Sequence, residues 1–497
     1  MQIIQNTPRM SQLLKIMPFH LDSINHLSQA ELVTPSPVPD PYWVGFSDKV
    51  ATLLKIETNG SLPIEPQYLQ LLAGNQLNLG HNTFQPFATA YSGHQFGQWA
   101  GQLGDGRAIY LGDIGGYEVQ LKGAGPTAYS RRGDGRAVLR SSIREFLASE
   151  AMHALGIPTS RALAIVGSDL PVFRETRETA AICTRVAPSF LRIGHIEHYG
   201  HQDMQSELEA TLEFLIQHHY PECQDSPTPF LSLLEKICVK VADTTAQWQS
   251  VGFCHGVLNT DNTSLLGLTL DYGPFGFLDG FDINHICNHS DHAGRYAYQR
   301  QSEILHWNLY CLASAMLKPL QNELAKTQQL NETEAIEKIK TTLGAYSQEY
   351  TQQWQSIFRR KLGFVKELPE DIELLEKLMQ TMHEHRIDFT LFFRGLSEGQ
   401  SGPLVMAEWF TLYQERLLLE DLSKDQRFRN MQLINPKYIL RNHLAQQAIE
   451  MAQKKDFSEV TRLLKILENP YENQDVSDAY ALPPPPEMAH IAISCSS

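Results

Sequence analysis

The chain has 497 residues, with 41 Lys+Arg against 56 Asp+Glu for a formal net charge of −15, and is 42% hydrophobic and 20% charged. At roughly 150 residues per domain, that length means two large lobes or about three domain-sized units and excludes a small binding module, while the hydrophobic content excludes a disordered chain. The acidic balance argues against nucleic acid or anionic membrane as a partner, so any polyanion the protein handles must meet a local basic patch.

In chain order, residues 1–80 mix short apolar runs with turn residues (Pro35, Pro37, Pro39, Pro41) and read as an entry segment packing on the β-rich region C-terminal to it. Residues 1–32 lack an apolar signal core, and no stretch reaches the roughly 18 apolar residues of a membrane span, which predicts a cytoplasmic protein. Between Phe84 and Lys122, closely spaced glycines punctuate β-prone runs. Ala108–Leu111 and Tyr117–Leu121, joined through Asp113–Gly116, predict a hairpin. A helix is predicted over Arg136–Leu155, because Leu139, Ile143, Phe146 and Leu147 share a face and Gly156 and Pro158 end it. Strand patterning returns at Ala162–Val166 and Ala180–Val186. From Ser206 onward helical patterns dominate, with one interruption at 252–282 rich in Gly, Asp and Asn. Residues 320–460 are helical in pattern, and Pro483–Pro486 reads as a short polyproline spacer. The outline is α+β, a β-rich half followed by a helix-rich half. Seven cysteines (Cys183, Cys223, Cys238, Cys254, Cys287, Cys311, Cys495) form no CxxC pair, which suits a reducing cytosol.

Several stretches can carry chemistry. The run GQLGDGR contains Gly104, Gly106 and Arg107 and precedes a strand pair ending at Lys122; such glycines let backbone N–H groups approach phosphate oxygens, or simply supply positive φ to a turn. Glu145 lies 23 residues after Lys122, flanked on its helical face by Val138 and Met152. Protein kinases pair a strand lysine with a helix glutamate in this way; the alternative is a surface glutamate on a two-faced helix. Arg131, Arg132, Arg136, Arg140 and Arg144 make the stretch locally basic against Asp134 and Glu145, four of them in an i, i+4 row if the helix extends that far; a solvated face is the plainer reading for the later ones. Arg185 and Arg192 are more isolated candidates for oxyanion contact.

The sequence HGVLNTDN (255–262) is followed by LDYGPF (270–275). Asp261 can take a proton from an incoming hydroxyl, and Asn262 with Asp271, nine residues later across a short hairpin, can share a hard cation such as Mg²⁺; two ordinary turns would have the same composition. Asp282, His285, His289, Asp291 and His292 offer a rival, a zinc-dependent hydrolase, through the i, i+4 spacing of His285 and His289.

The runs YSGHQFGQWAGQLGDGRAIYLGDI, YEVQLKGAGPTAYSRRGDGRAVLRSSIREFLASEAMHALGIPTSRAL, HGVLNTDN and DYGPFGFLD resemble the selenoprotein O (SelO) family of protein adenylyltransferases, and the resemblance continues to the NPYE segment and the terminal CSS. It implies a bilobal protein-kinase-like fold that binds ATP in a flipped orientation and, with Mg²⁺ or Mn²⁺, transfers AMP to Ser, Thr or Tyr hydroxyls of proteins. It further implies Lys122 and Glu145 as the ion pair and Asp261 as general base. Asn262 and Asp271 would be metal ligands, and Gly104, Gly106, Arg107, Lys122, Asp134, Gly135, Arg185, Arg192 and Asp271 would line the nucleotide. Cys495 would be a redox residue with Cys287 as a possible disulfide partner.

The expected layout is an N-terminal segment (1–80), an N-lobe with the nucleotide loop (81–190), a helical C-lobe with catalytic and metal loops (191–430), and a helical extension and tail (431–497), in a monomer. Two features depart from an ordinary kinase: Asp261 and Asn262 are adjacent where an HRDxxxxN loop spaces its base and metal Asn by five, and GQLGDGR replaces GxGxxG. A catalytically silent, nucleotide-binding pseudokinase scaffold is the second rival.

Overall fold

A computed structural model describes residues 30–79, 82–488 and Ile491. The N-terminal half contains β1 (Ala30–Leu32), β2 (Tyr42–Phe46), α1 (Asp48–Leu53), α2 (Gln67–Leu72), a ribbon of β3 (Asn78–Leu79) and β4 (Asn82–Thr83), and β5 (Phe87–Thr89). It continues with the hairpins β6 (Ser92–Gln95)/β7 (Gln98–Gln102) and β8 (Ala108–Ile114)/β9 (Tyr117–Lys122), then β10 (Ala137–Val138), α3 (Leu139–Ala154), β11 (Arg161–Phe173) and β12 (Arg177–Ala187). The predicted β8/β9 hairpin forms as read. Ile114 pairs with Tyr117, and Gly115 and Gly116 at φ +65° and +88° supply the two positive φ values that such a two-residue turn requires.

The main sheet runs β1-β5-β8-β9-β12-β11-β2, with β10 on β12, all antiparallel. Its period-two alternation sorts the side chains by face. Val119 and Leu121 of β9 and Ile182 and Val186 of β12 enter a core with Val50, Leu71 and Ile109. Gln120 and Lys122, paired in register with Arg185 and Cys183, therefore stand on the opposite face, toward α3.

The helix begins at Leu139, three residues later than predicted, because Ala137 and Val138 are drawn into the sheet against Ala181 and Ala180. Arg132 and Arg136 consequently lie outside it, and no four-arginine row exists. Nor is α3 two-faced: every residue from Ser142 to Met152 is buried, because it packs on β11 and β12 with one side while α14 (Asn442–Gln453) and α15 (Ser458–Leu467) cover the other. Arg144, read as solvent-facing, is buried and donates to the Phe275 carbonyl at 2.7 Å.

The remaining chain is mainly helical: α4 (Ile193–His201), α5 (Gln205–His219), α6 (Pro229–Ser250), α7 (Gln301–Ala315), α8 (Leu317–Gln328), α9 (Glu332–Lys361), α10 (Asp371–Glu384), α11 (Phe389–Ser397), α12 (Ala407–Leu417) and α13 (Lys424–Gln432) precede α14 and α15. The interruption predicted at 252–282 is a loop region closed at its base by β13 (Phe253–Cys254) and β14 (Gly276–Phe277). The short hairpin expected between Asn262 and Asp271 does not form. That segment is instead pinned to other parts of the chain by bridges Arg192–Ser264 and Thr159–Thr269, with Leu265 and Leu270 buried.

One buried carboxylate ties α1, α3 and β11 together. Glu150 accepts two hydrogen bonds from the Arg161 guanidinium (2.8 and 2.7 Å), one from the Ser47 hydroxyl (2.9 Å) and one from Ala162 N (3.2 Å). Glu150→Ala strands a buried guanidinium and is expected to lower stability by about 3–5 kcal/mol, measured as a shifted denaturant midpoint.

Candidate active site

Lys122 Nζ donates to Glu145 Oε2 at 2.5 Å, so the glutamate is a buried ion-pair partner and not a surface residue. The other carboxylate oxygen accepts from Arg185 Nε. Arg185 then reaches on to Asp271 Oδ1 at 2.5 Å, and Asp271 Oδ2 accepts from Arg192 Nη1, also at 2.5 Å. Arg192 Nη1 additionally donates to the Asp261 carbonyl at 2.9 Å. Five charged side chains from β9, α3, β12, the start of α4 and the 263–275 loop thus form one chain of ion pairs that ends on the backbone of Asp261.

Burial alone would neutralise the carboxylates, but Arg185 and Lys122 hold the Glu145 carboxyl below its ordinary range. Asp271, whose side chain keeps 22% exposure, is held well below by Arg185, Arg192 and Lys122. Burial and the neighbouring Arg185 pull the Lys122 ammonium down. The network therefore contains three cations and two anions, an excess of positive charge inside an acidic protein.

Asp261 is different. Burial dominates and pushes its carboxyl up to about 6. One oxygen accepts from Gln95 Nε2 at 3.2 Å, while Oδ1 is buried and has no hydrogen-bond partner among the described residues. Asn262, in the same 3₁₀ turn (Thr260–Asn262), donates from its amide to the Val257 carbonyl at 3.3 Å. His255 couples the two loops: its Nε2 donates to the Leu270 carbonyl at 2.7 Å, one residue before Asp271. Asp271 itself sits at φ +55°, a left-handed conformation held by its two arginines.

The glycine loop borders this network through Arg107, whose exposed side chain acts electrostatically on Lys122. Gly104 is at φ +142°, and a Cβ there would lie 2.4 Å from the Tyr129 ring, so this glycine also serves close packing against the 127–130 loop. Asp134 does not join the network; it is paired with Arg174 (2.8 Å and 2.9 Å) at the tip of the β11/β12 hairpin. Gly135, at φ +63°, packs against the Gly125 backbone. Cys287 is buried, and its thiol donates to the Cys254 carbonyl at 3.4 Å; Cys495 lies outside the described residues. His285, His289 and His292 belong to no convergent set of three ligand atoms among the described residues. Asp282, expected beside them, is committed to Arg386 and His383.

Two residues of the site carry no signal in the sequence: Gln95, which touches Asp261, and His255, which opens the HGVLNTDN motif without an evident role of its own. Gln95 is invisible to spacing because it lies 166 positions before its partner. Asp261 carries its own stability test. A carboxyl raised by burial penalises the folded state once ionised, above about pH 6, and has no such effect below its unfolded pKa of about 4. Asp261→Asn is therefore expected to raise stability at pH 8 by about 2–3 kcal/mol, with the gain vanishing as pH falls to 4, read from denaturant midpoints at both pH values.

Comparison with known proteins identifies the family of the chain. The family model described as "Protein adenylyltransferase SelO" matches residues 30–468. A protein nucleotidyltransferase YdiU of Burkholderia ambifaria (strain MC40-6) is 48% identical over 483 residues, covering 93% of this chain and 92% of the relative. The protein of the same name from Burkholderia cenocepacia (strain HI2424) is 49% identical with the same coverage, and that of Burkholderia vietnamiensis (strain G4) is 48% identical. The chain belongs to the SelO family of protein adenylyltransferases.

Proposed function

We propose that the protein is a kinase-like, bilobal adenylyltransferase that binds ATP and transfers AMP to Ser, Thr or Tyr hydroxyls of other proteins, releasing pyrophosphate. The observation that carries this reading is the continuous network Lys122–Glu145–Arg185–Asp271–Arg192 ending at Asp261. The α+β arrangement, with a β-rich N-terminal part and a mostly helical remainder, supports the kinase-like division at 81–190 and 191–430, with 1–80 as the leading segment and 431–497 as the extension.

In this reading Lys122, Arg185 and Arg192 meet the phosphate oxygens, with Glu145 holding the lysine in place. Gly104, Gly106 and Arg107 line the same nucleotide, and Asp134 and Gly135 shape the loop beside it. The acceptor hydroxyl oxygen attacks the α-phosphorus as the bond to the pyrophosphate oxygen breaks. The hydroxyl proton passes to Asp261, whose unpartnered Oδ1 and raised pKa suit a proton acceptor near neutral pH. Most of the rate enhancement comes from positioning and charge neutralisation by the fixed cations.

Asn262 and Asp271 would hold Mg²⁺ or Mn²⁺. Their oxygens suit a hard cation, and an ionised carboxylate has lone pairs beyond the two that Arg185 and Arg192 occupy. The metal would neutralise charge on the phosphates. A monomer acting on ATP and protein substrates is the simplest assembly. No helix among the described residues is long and apolar enough to cross a membrane.

ATP labelled at the α-phosphate is expected to mark protein, and ATP labelled at γ is not. The reverse pattern would mean an ordinary kinase, and ATP binding without labelling would mean a nucleotide-binding scaffold. Asp271→Ala is expected to abolish labelling, and chelation to abolish it until Mg²⁺ or Mn²⁺ is restored. Transfer should rise with pH through about 6 as Asp261 ionises, and Asp261→Asn should lower kcat by about 10²-fold and remove that acidic limb.

A further inference from the structure

Behind the catalytic loop lies a second set of convergent side chains that the adenylyl-transfer reading does not use. His94 on β6, Glu197 on α4 and Cys311 on α7 each offer a ligand atom, and these atoms all lie within 4.8 Å of one another. It is the one such group of three or more among the described residues.

His94 Nδ1 is 2.6 Å from Glu197 Oε1. The Glu197 side chain has 0% exposure and its Oε2 makes no hydrogen bond of ordinary geometry, while the Thr260 hydroxyl, His94 and His201 act on the carboxylate against the effect of its burial. Trp99 and Trp307 close round the imidazole, with ring centroids 5.1 and 5.3 Å from His94. Burial, and then the Glu197 carboxylate beside it, push the Cys311 thiol up to about 12 against a smaller opposing pull from Arg295, so a bound ion would have to displace the thiol proton.

We propose that His94, Glu197 and Cys311 bind a divalent transition-metal ion of the zinc type, at a site distinct from Asn262 and Asp271. An imidazole nitrogen, a carboxylate oxygen and a thiolate form a donor set that suits Zn²⁺ or Co²⁺ and is poor for Mg²⁺, which prefers oxygen throughout. Three protein ligands leave a fourth tetrahedral position for water. Bond lengths of about 2.0–2.3 Å place tetrahedral ligand atoms roughly 3.3–3.6 Å apart, so the ion would open the His94–Glu197 contact by under an ångström and draw the thiol inward. The partly exposed His94 and Cys311 can make that adjustment by side-chain rotation.

The location gives the site a consequence. His94 N donates to Thr260 Oγ1 at 2.7 Å, and the next residue, Gln95, holds Asp261. Gly194 on α4 already approaches β6 so closely that a Cβ would lie 2.4 Å from the Ser92 carbonyl. A bound ion would tie the β6/β7 hairpin to α4 and α7 and so fix the residue that touches Asp261. It would brace the hairpin beside the active site while keeping one coordination position open to water.

The test is titration of the full-length, chelator-stripped protein with Co²⁺ in excess Mg²⁺, followed by absorbance. One equivalent is expected to bind with a thiolate-to-cobalt charge-transfer band, to be displaced by Zn²⁺, and to bind equally in Asn262→Ala. The band should vanish in Cys311→Ser, and His94→Gln should weaken binding by about 10–100-fold, with circular dichroism confirming that both variants are folded. Absence of the band, its persistence in Cys311→Ser, or its loss in Asn262→Ala would each overturn the proposal. None of these readouts depends on adenylyl transfer, so they separate this site from the proposed catalytic function.

Discussion

Everything around the candidate active site depends on keeping Asp271 and Glu145 ionised while largely withdrawn from water. Two desolvated carboxylates that close to one another would ordinarily repel and take up protons. Arg185 prevents this by lying between them, with Nε on Glu145 and Nη2 on Asp271. Lys122 and Arg192 pair with the remaining carboxylate oxygens at the two ends, leaving the network with one positive charge in excess. Removing either carboxylate would leave three buried cations facing a single anion, which is far more costly than the pairs themselves are stabilising. The sheet, the helix and the loops are therefore held in mutual register by electrostatics as well as by apolar packing.

Apolar packing decides where α3 stands. The helix is buried all round because the chain returns from its far end to lay α14 and α15 against it, so Glu145 cannot swing out without breaking a core that includes Ile143, Phe146, Leu444, Ala448 and Leu463. Arg144 extends the same logic to the loop, joining α3 to the Phe275 carbonyl four residues past Asp271 and lying 4.5 Å from the Phe275 ring centroid. The C-terminal helices thus support the site from a distance. Their sequence, read alone, contained no recognisable chemistry.

The two loops owe their shape to contacts outside themselves. The β6/β7 hairpin supplies His94 N to Thr260, Gln95 to Asp261, and Phe96 N to Asn259 and the Tyr296 hydroxyl. These bonds leave the buried Oδ1 of Asp261 as the one polar atom of that carboxylate without a partner among the described residues. A raised pKa and an unsatisfied oxygen on the same side chain are consistent with the proton-acceptor role proposed for Asp261.

Period-two alternation in β9, the i, i+4, i+7 spacing in α3 and the Gly-Gly turn were enough for the sequence by itself to determine the β8/β9 hairpin, the helix carrying Glu145 and the α+β order, because each is a local pattern that a short segment states on its own. The long motifs likewise named the family and the residues worth watching. Only the tertiary structure decided which charges meet: that Asp134 belongs to Arg174, that Arg144 is buried, that Asn262 and Asp271 are not joined by a hairpin, and that Arg185 bridges two carboxylates. Ion pairing and desolvation depend on distances between segments tens to hundreds of residues apart, and no local pattern of side chains encodes those distances.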